Sequence, residues 1–458
     1  MGTFNALSLV KGCQMYLSSL KMRLVACAER CLALRRQLLP AACSVVLLIV
    51  AVPADAVGLT LENAVAMAVQ NNKDLQASRY AVAQARARLL QAGLPANPRL
   101  ELSKRSDRIF RNEGEYTVSV GISQQFPVTG RLARQQDVAR VDVALAIAEI
   151  RQAELKLAND VASGFYRVLA LNRQLEARER SIDIDQALVR STSNRFKAAE
   201  VSELDVNAAR LDLQRLSQER LLLQSQRSTQ LAQLSQALGN ADARPVDLDD
   251  TLPAFEPLPG LPEQQAEAVS LRPDLRFAVL SADRAKADQM LARAQRWEDW
   301  TVGVGVEQGR TAVDGAPPQR ASRAIGVTLS IPLPFRNGNQ GRIAETIAAG
   351  DQADARIEAL KLGIGSEVAI VHAEAERLRQ AIAGYKSDML PIAERNVRLA
   401  QQGYNQGLVS IVEVVQAQRQ QGELNAAYLT TLDQYLQTLA RLRTATGAYL
   451  KDVKPSDE

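Results

Sequence analysis

The chain has 458 residues, with 55 Lys+Arg against 51 Asp+Glu, four Cys, one His and 4% aromatics. The near-even charge argues against a protein that tracks a phosphate backbone, so no nucleic-acid partner is expected. A single His argues against His-based acid–base catalysis and a His-rich metal site, and so few aromatics suit long helical assemblies better than a compact enzyme core.

The first segment reads as an export signal. Residues 1–36 carry Lys11, Lys21, Arg23, Arg30, Arg35 and Arg36 against Glu29 alone. An apolar run from Leu38 to Val52 follows and ends in Pro53-Ala54-Asp55-Ala56. Basic start, apolar centre and small residues before the cut predict a secretory signal over 1–56, with cleavage after Ala56. The run is shorter than the ~20 residues a spanning helix needs. Met22 offers an alternative start. Cys43 precedes most of the apolar run, where a lipid-acceptor cysteine should follow it. Cys13, Cys27, Cys31 and Cys43 all fall in this segment, and its removal leaves 49 basic and 49 acidic residues. The mature chain is thus expected to be neutral and free of cysteine. No later stretch reaches about 18 apolar residues, so any membrane contact must be made by strands.

The rest reads as a tandem duplication, with a first repeat over 57–240, a linker over 241–262, a second repeat over 263–450 and a polar tail over 451–458. Asn71-Asn72-Lys73-Asp74-Leu75 matches Leu271-Arg272-Pro273-Asp274-Leu275. Phe126-Pro127 with Gly130 matches Leu333-Pro334 with Gly338, and Asp205-Val206 matches Glu413-Val414. Pro245, Pro253, Pro257, Pro259 and Pro262 mark the linker. Each repeat predicts a helix, two strands, a very long helix and a shorter one. The helices are expected near 61–92, 131–195 and 202–238, then 263–296, 342–404 and 411–446. The long ones would span roughly 95–100 Å, and the two shorter ones of a repeat add up to roughly the same length. That equality fits helices lining one long tube. In the last helix Leu424, Tyr428, Leu432, Tyr435, Leu439 and Leu442 recur at steps of four and three, as packed helices require.

Four segments alternate with period two. Leu100 and Leu102 oppose Glu101 and Ser103; Val118, Val120 and Ile122 oppose Ser119, Gly121 and Ser123. Val302, Val304 and Val306 oppose Gly303, Gly305 and Glu307; Ile325, Val327 and Leu329 oppose Gly326, Thr328 and Ser330. One apolar and one small or polar face over about ten residues is the pattern of outer-membrane strands. Val118, Val120, Val304 and Val327 are then expected to face lipid, and Trp297 and Trp300 to sit at the membrane interface. A soluble sheet packed on one face remains the alternative for the strands. Four strands cannot close a barrel, and open edges are not tolerated in lipid. Three copies would supply twelve strands and twelve helix-lengths.

Together these features resemble the TolC-like outer-membrane efflux family over nearly the whole mature chain. The resemblance rests on the duplicated layout, the Pro–Gly turns after each second strand, and the two helix–helix turns. The second turn carries Gly403, Tyr404 and Gly407 and runs on into Ile411-Val412-Glu413-Val414-Val415-Gln416-Ala417. It is similar to the family's Tyr-x-x-Gly turn followed by a Val-Asp-Val-Leu-Asp-Ala helix start. The resemblance implies a mainly α fold: a long α-helical barrel continuous with a transmembrane β-barrel, assembled as a homotrimer in the outer membrane and extending into the periplasm. It implies a periplasmic adaptor and an inner-membrane RND-type cation/proton antiporter as partners, with no cofactor and no catalytic residue. It places Glu413 and Gln416 at a pore constriction, with Asp205 equivalent to Glu413. Gln416 departs from the family's acid, and Ala199 stands where the first turn prefers Gly. Glu413 and Asp205 also fit as helix N-terminal charges. The Phe126–Gly130 turn and the Val201–Val206 stretch are similar to the CzcC-like heavy-metal branch, which implies divalent cations as cargo, with drugs or other small organic compounds as the alternative. A periplasmic coiled-coil structural or adaptor protein is the competing class, and the alternating strands speak against it. His372 reads as a polar residue on a helix.

Overall fold

The computed structural model describes residues 58–452, apart from 108, 110–113, 241–246, 250, 254, 313, 314, 316 and 318. The expected signal segment and most of the expected tail lie outside the described residues.

The first repeat contains α1 (Leu61–Asn71), α2 (Lys73–Ala92), β1 (Arg99–Ser106), β2 (Tyr116–Phe126), α3 (Arg131–Lys197) and α4 (Glu203–Ala237). The second contains α5 (Leu261–Leu271), α6 (Pro273–Ala294), β3 (Trp300–Arg310), β4 (Ser322–Ser330), α7 (Gln340–Gly384), a wider π turn (Tyr385–Met389), α8 (Leu390–Asn405) and α9 (Ile411–Ala445); the short α10 (Tyr449–Asp452) is the last element among the described residues. With 67 residues α3 spans roughly 100 Å.

Three expected helices are interrupted. The one expected over 61–92 breaks at Asn72, whose backbone is extended and whose Oδ1 accepts from the Leu75 N–H at 3.0 Å. The one expected over 263–296 breaks at Arg272, because Pro273 forces its predecessor out of the helical region and takes the first helical position. The one expected over 342–404 widens at Tyr385–Met389, just before Pro391. Proline has no N–H to continue the ladder, and a π turn absorbs the misfit.

The first two breaks sit at equivalent places in the two repeats, and each is tied to the end of its repeat. Asn72 Nδ2 donates to the Ala237 carbonyl at 3.0 Å. Arg272 Nη1 donates to the Ala445 carbonyl at 3.2 Å, while its guanidinium also holds Asp274 at 2.6 Å and Glu367 at 2.5 Å. The linker is pinned as well: Leu59 pairs with Leu248, and Phe255 stacks on Tyr435 with ring centroids 5.6 Å apart.

The strands form one antiparallel sheet in the order β1-β2-β3-β4. The register lines up Leu102, Val120 and Val306 across neighbouring strands, and likewise Ile122, Val304 and Val327. These side chains share one face, and that face is open: Leu102 is 69%, Val304 54% and Val327 74% exposed. The opposite face carries Glu101, Gly121, Gly305 and Gly326 in one row. A Cβ at Gly305 would lie 3.1 Å from the Val120 carbonyl oxygen and 3.3 Å from the Gly121 Cα. The missing side chains let the two middle strands approach on this face and bend the sheet toward it.

The helical core runs along α3, which packs against α1, α2, α4, α6 and α9. Its apolar contacts are mostly small or medium: Ala158, Val161, Ala162, Leu169 and Leu436 are buried together. Charged ties are set into it. Glu154 is fully buried between Arg151 at 2.8 Å and Arg79 of α2 at 3.5 Å. Asp433 of α9 is bonded to Arg167 of α3, and burial raises its carboxyl above the usual range despite that arginine.

Candidate functional site

The two helix–helix turns lie together at one end of the molecule and share a geometry. In the second, Gly407 adopts φ +73°, its N–H reaches the Tyr404 carbonyl at 3.0 Å, and Leu408 N–H reaches Gly403 at 2.8 Å. In the first, Ala199 adopts φ +57° with the same bonds, to Phe196 at 2.9 Å and from Glu200 to Arg195 at 2.9 Å. A left-handed residue ends each helix in the manner of a Schellman turn. Gly403 packs closely, since a Cβ there would lie 3.1 Å from Val409 Cγ2 and press on that side chain.

Each turn then starts a helix through a capping box. Ser202 and Asp205 exchange bonds at the start of α4, with Ser202 N–H to Asp205 Oδ2 at 2.9 Å. Ser410 and Glu413 do so at the start of α9, with Ser410 N–H to Glu413 Oε2 at 2.8 Å. The two acids singled out in the sequence therefore hold backbone donors at helix N-termini, where negative charge also meets the macrodipole. Glu413 remains exposed, as does Gln416 three residues on and so on the same helix face. Tyr404 is buried with Leu188, Ile411, Val414 and Val415. Above its ring stands the Arg195 guanidinium, 4.5 Å from the centroid, with Nη1 donating to the Tyr404 carbonyl at 3.2 Å. Arg195 thus joins the turn of one repeat to that of the other. The contact spans 209 residues and leaves no local signal in the sequence.

At the strand end, Trp300 pairs with Phe126 across β2 and β3. Period-two geometry puts both on the apolar face, in line with Val302, Val304 and Val120. Trp297 and Trp300 are 43% and 36% exposed. At the far end the row Lys104, Val118, Gln308 and Arg323 closes the apolar band. From Trp300 to Val306 the band runs roughly 20 Å along the strand, and roughly 27 Å from Phe126 to Val118. Outer-membrane barrels carry a band of about 25 Å. No helix among the described residues is long and apolar enough to cross a membrane.

Among the described residues no three His, Cys, Asp or Glu side chains gather into a metal-binding group. His372 Nε2 contacts the Pro259 carbonyl at 3.2 Å and so meets the linker.

Comparison with known proteins supplies the family. The cobalt-zinc-cadmium resistance protein CzcC of Cupriavidus metallidurans is 24% identical over 402 residues, covering 86% of this chain and 92% of that protein. The pyoverdine export outer membrane protein OpmQ of Pseudomonas aeruginosa is 27% identical over 421 residues, covering 85% and 84%. A solved structure of CusC superposes with a TM-score of 0.70 at 19% identity, covering 85% of this chain and 92% of that one. Residues 64–240 and 266–448, one block in each repeat, match the outer membrane efflux protein family. The chain belongs to that family: it is an outer-membrane efflux channel that extends into the periplasm, and not an enzyme.

Proposed function

We propose that three copies of this chain close a twelve-stranded barrel and a helical tube, and that the duct exports divalent metal cations of the cobalt, zinc, cadmium or nickel type. The sheet leaves β1 and β4 as its two edges, and lipid tolerates neither. Three sheets joined edge to edge satisfy both, and residues 1–56 serve as the export signal. The exposed face of Val118, Val120, Val304 and Val327 meets lipid, and Trp297 and Trp300 mark the periplasmic interface. Energy comes from an inner-membrane cation/proton antiporter that reaches the duct through a periplasmic adaptor.

One observation carries the choice of cargo. Asp205 and Glu413 occupy the same place in the two capping boxes at the turn end. A trimer gathers six carboxylates there, which attract cations and repel anions. Gln416 adds polarity without charge. The test compares a deletion strain with its complement for tolerance of divalent metals, with drugs as controls and redundant ducts removed. Metal tolerance is expected to fall in the deletion strain and return on complementation. Unchanged metal tolerance refutes this cargo. The second reading, export of small organic compounds, is favoured by the similarity to a pyoverdine export protein over most of both chains. Drug or siderophore sensitivity without metal sensitivity would select it.

A further inference from the structure

The turn end contains a second ionic cluster that neither the strands nor the capping boxes explain. Asp185 of α3 and Asp212 of α4 are only 3% and 2% exposed. They line a cavity of about 430 Å³ between α3, α4 and α9. Asp212 is fully engaged: its Oδ1 accepts from Arg215 Nε at 3.1 Å and from Arg419 Nε at 2.9 Å. Arg419 belongs to α9, so this carboxylate ties α9 to α4. Asp185 faces the Asp212 carboxyl within hydrogen-bonding reach, and its Oδ2 has no partner.

The charges around the cavity show what state this arrangement holds. From α3 comes Arg178, from α4 Arg215 and Glu219, and from α9 Arg419 and Glu423. Arg178 is paired with Glu219 at 3.0 Å, and Arg215 reaches the same acid at 2.8 Å. With Asp185 neutral, three arginines face Asp212, Glu219 and Glu423. With Asp185 ionised, a fourth negative charge is buried beside Asp212 without a bond from any arginine. Burial pushes the Asp185 carboxyl up to about 7, the Asp212 charge adds to this, and Arg215 and Arg419 oppose it. Burial also raises Asp212, but hydrogen bonds from Arg215 and Arg419 outweigh it and hold that group below the usual carboxylate range.

We propose that Asp185 and Asp212 form a one-proton binding site that clasps α9 to the α3–α4 pair. With the proton bound, the Asp185 O–H donates to Asp212 and Arg419 stays locked between the helices. When the proton leaves to solvent, a carboxylate with no arginine bond is buried beside Asp212, and drawing α9 away from the cavity admits the water that hydrates it. The hold on α9 then weakens. The sign follows from the raised value: protonation favours the clasped state, so the clasp is strongest in acid and is lost as pH rises through about 7. Arg419 lies six residues beyond Glu413, or roughly 9 Å along α9. The proton therefore controls the helix that carries the constriction acid, whatever the cargo.

Hydrogen exchange on the intact trimer tests the site, with rates corrected for intrinsic pH dependence. Protection of residues 411–425 is expected to fall roughly tenfold between about pH 5.5 and about pH 8.5, with its midpoint near 7, while the strands stay unchanged. Asp185→Asn, which mimics the protonated acid, is expected to hold high protection throughout. Arg419→Gln is expected to hold low protection throughout. Wild-type protection without a transition in this range overturns the proposal, and needs no variant to fold. Retention of the wild-type pH profile by Asp185→Asn overturns it equally.

Discussion

The two helix–helix turns differ by one methyl group at their left-handed residue, and the physics assigns opposite signs to exchanging it. Holding an L-residue in this conformation costs roughly 1–2 kcal/mol. Glycine escapes that cost but loses about 0.4–1 kcal/mol more entropy on folding. Gly407 sits at φ +73°, and a Cβ there would meet nothing within 4 Å. Collision adds nothing, so Gly407→Ala is expected to weaken its turn by about 1 kcal/mol. Ala199, at φ +57°, already bears the strain, so Ala199→Gly is expected to strengthen its turn by about the same amount. Gly239 supplies the contrast. It is also left-handed, but its Cβ would lie 2.5 Å from the Asn71 carbonyl oxygen. Gly239→Ala should therefore cost clearly more than Gly407→Ala, because backbone must move. Hydrogen exchange of the amides flanking each turn reads these local free energies without unfolding the trimer. A neutral Gly407→Ala, or an Ala199→Gly that weakens its turn, would refute the conformational account.

Gly305→Val is expected to prevent assembly of heat-stable trimers, because its Cβ would already press on Val120 and Gly121; Gly326→Ala, with nothing within 4 Å, is expected to assemble normally on semi-native gels. Arg272→Ala removes three ties at once and is expected to lower stability by about 2 kcal/mol, the partly exposed partners being screened. Asn72→Ala, at the equivalent break, is expected to cost about 1–2 kcal/mol through the lost cap and the lost bond to Ala237; denaturant titration checks both. Glu413→Ala is expected to raise uptake of bulky antibiotics by cells carrying the duct, both because the proposed acid ring is halved and because the capping box opens. Gln416→Glu, which restores a second acid, is expected to lower it; unchanged permeability in both would remove these residues from the constriction.

The fold was legible where a pattern repeats. Period-two alternation over four segments, each appearing at its place in a duplicated layout, announced the sheet and its open apolar face. The turns were legible because Gly407 and the Ser–x–x–acid boxes are local chemistry. The helix breaks were half legible. Pro273 shows the second one outright, and the match between Asn72 and Arg272 carries it to the first, where Asn-Asn-Lys-Asp on its own passes for a polar helix face. What stayed hidden is ionic. Glu154, Asp185, Asp212 and Asp433 carry no local signal of burial, because sequence pattern assigns charge to the outside. Each has a partner on another helix, as with Arg79 for Glu154 and Arg419 for Asp212.

That hidden layer answers a problem posed by the composition itself. Helices packed largely through Ala, Val and Leu along a rod of roughly 100 Å have many registers of similar apolar contact. A slip of one turn along α3 exchanges one small side chain for another at little cost. A buried carboxylate forbids it, because losing its partner leaves an unpaired charge, at about 3–5 kcal/mol. Glu154, Arg167 and Asp185 place such ties at three levels of α3, about 20 Å and about 27 Å apart, toward α2, α9 and α4 in turn. Two are paired directly with arginine. The third, nearest the turns, depends on a proton. The same device that fixes helix register along the tube is thus made conditional where α9 begins, the one place where a duct gains from a helix that can be released.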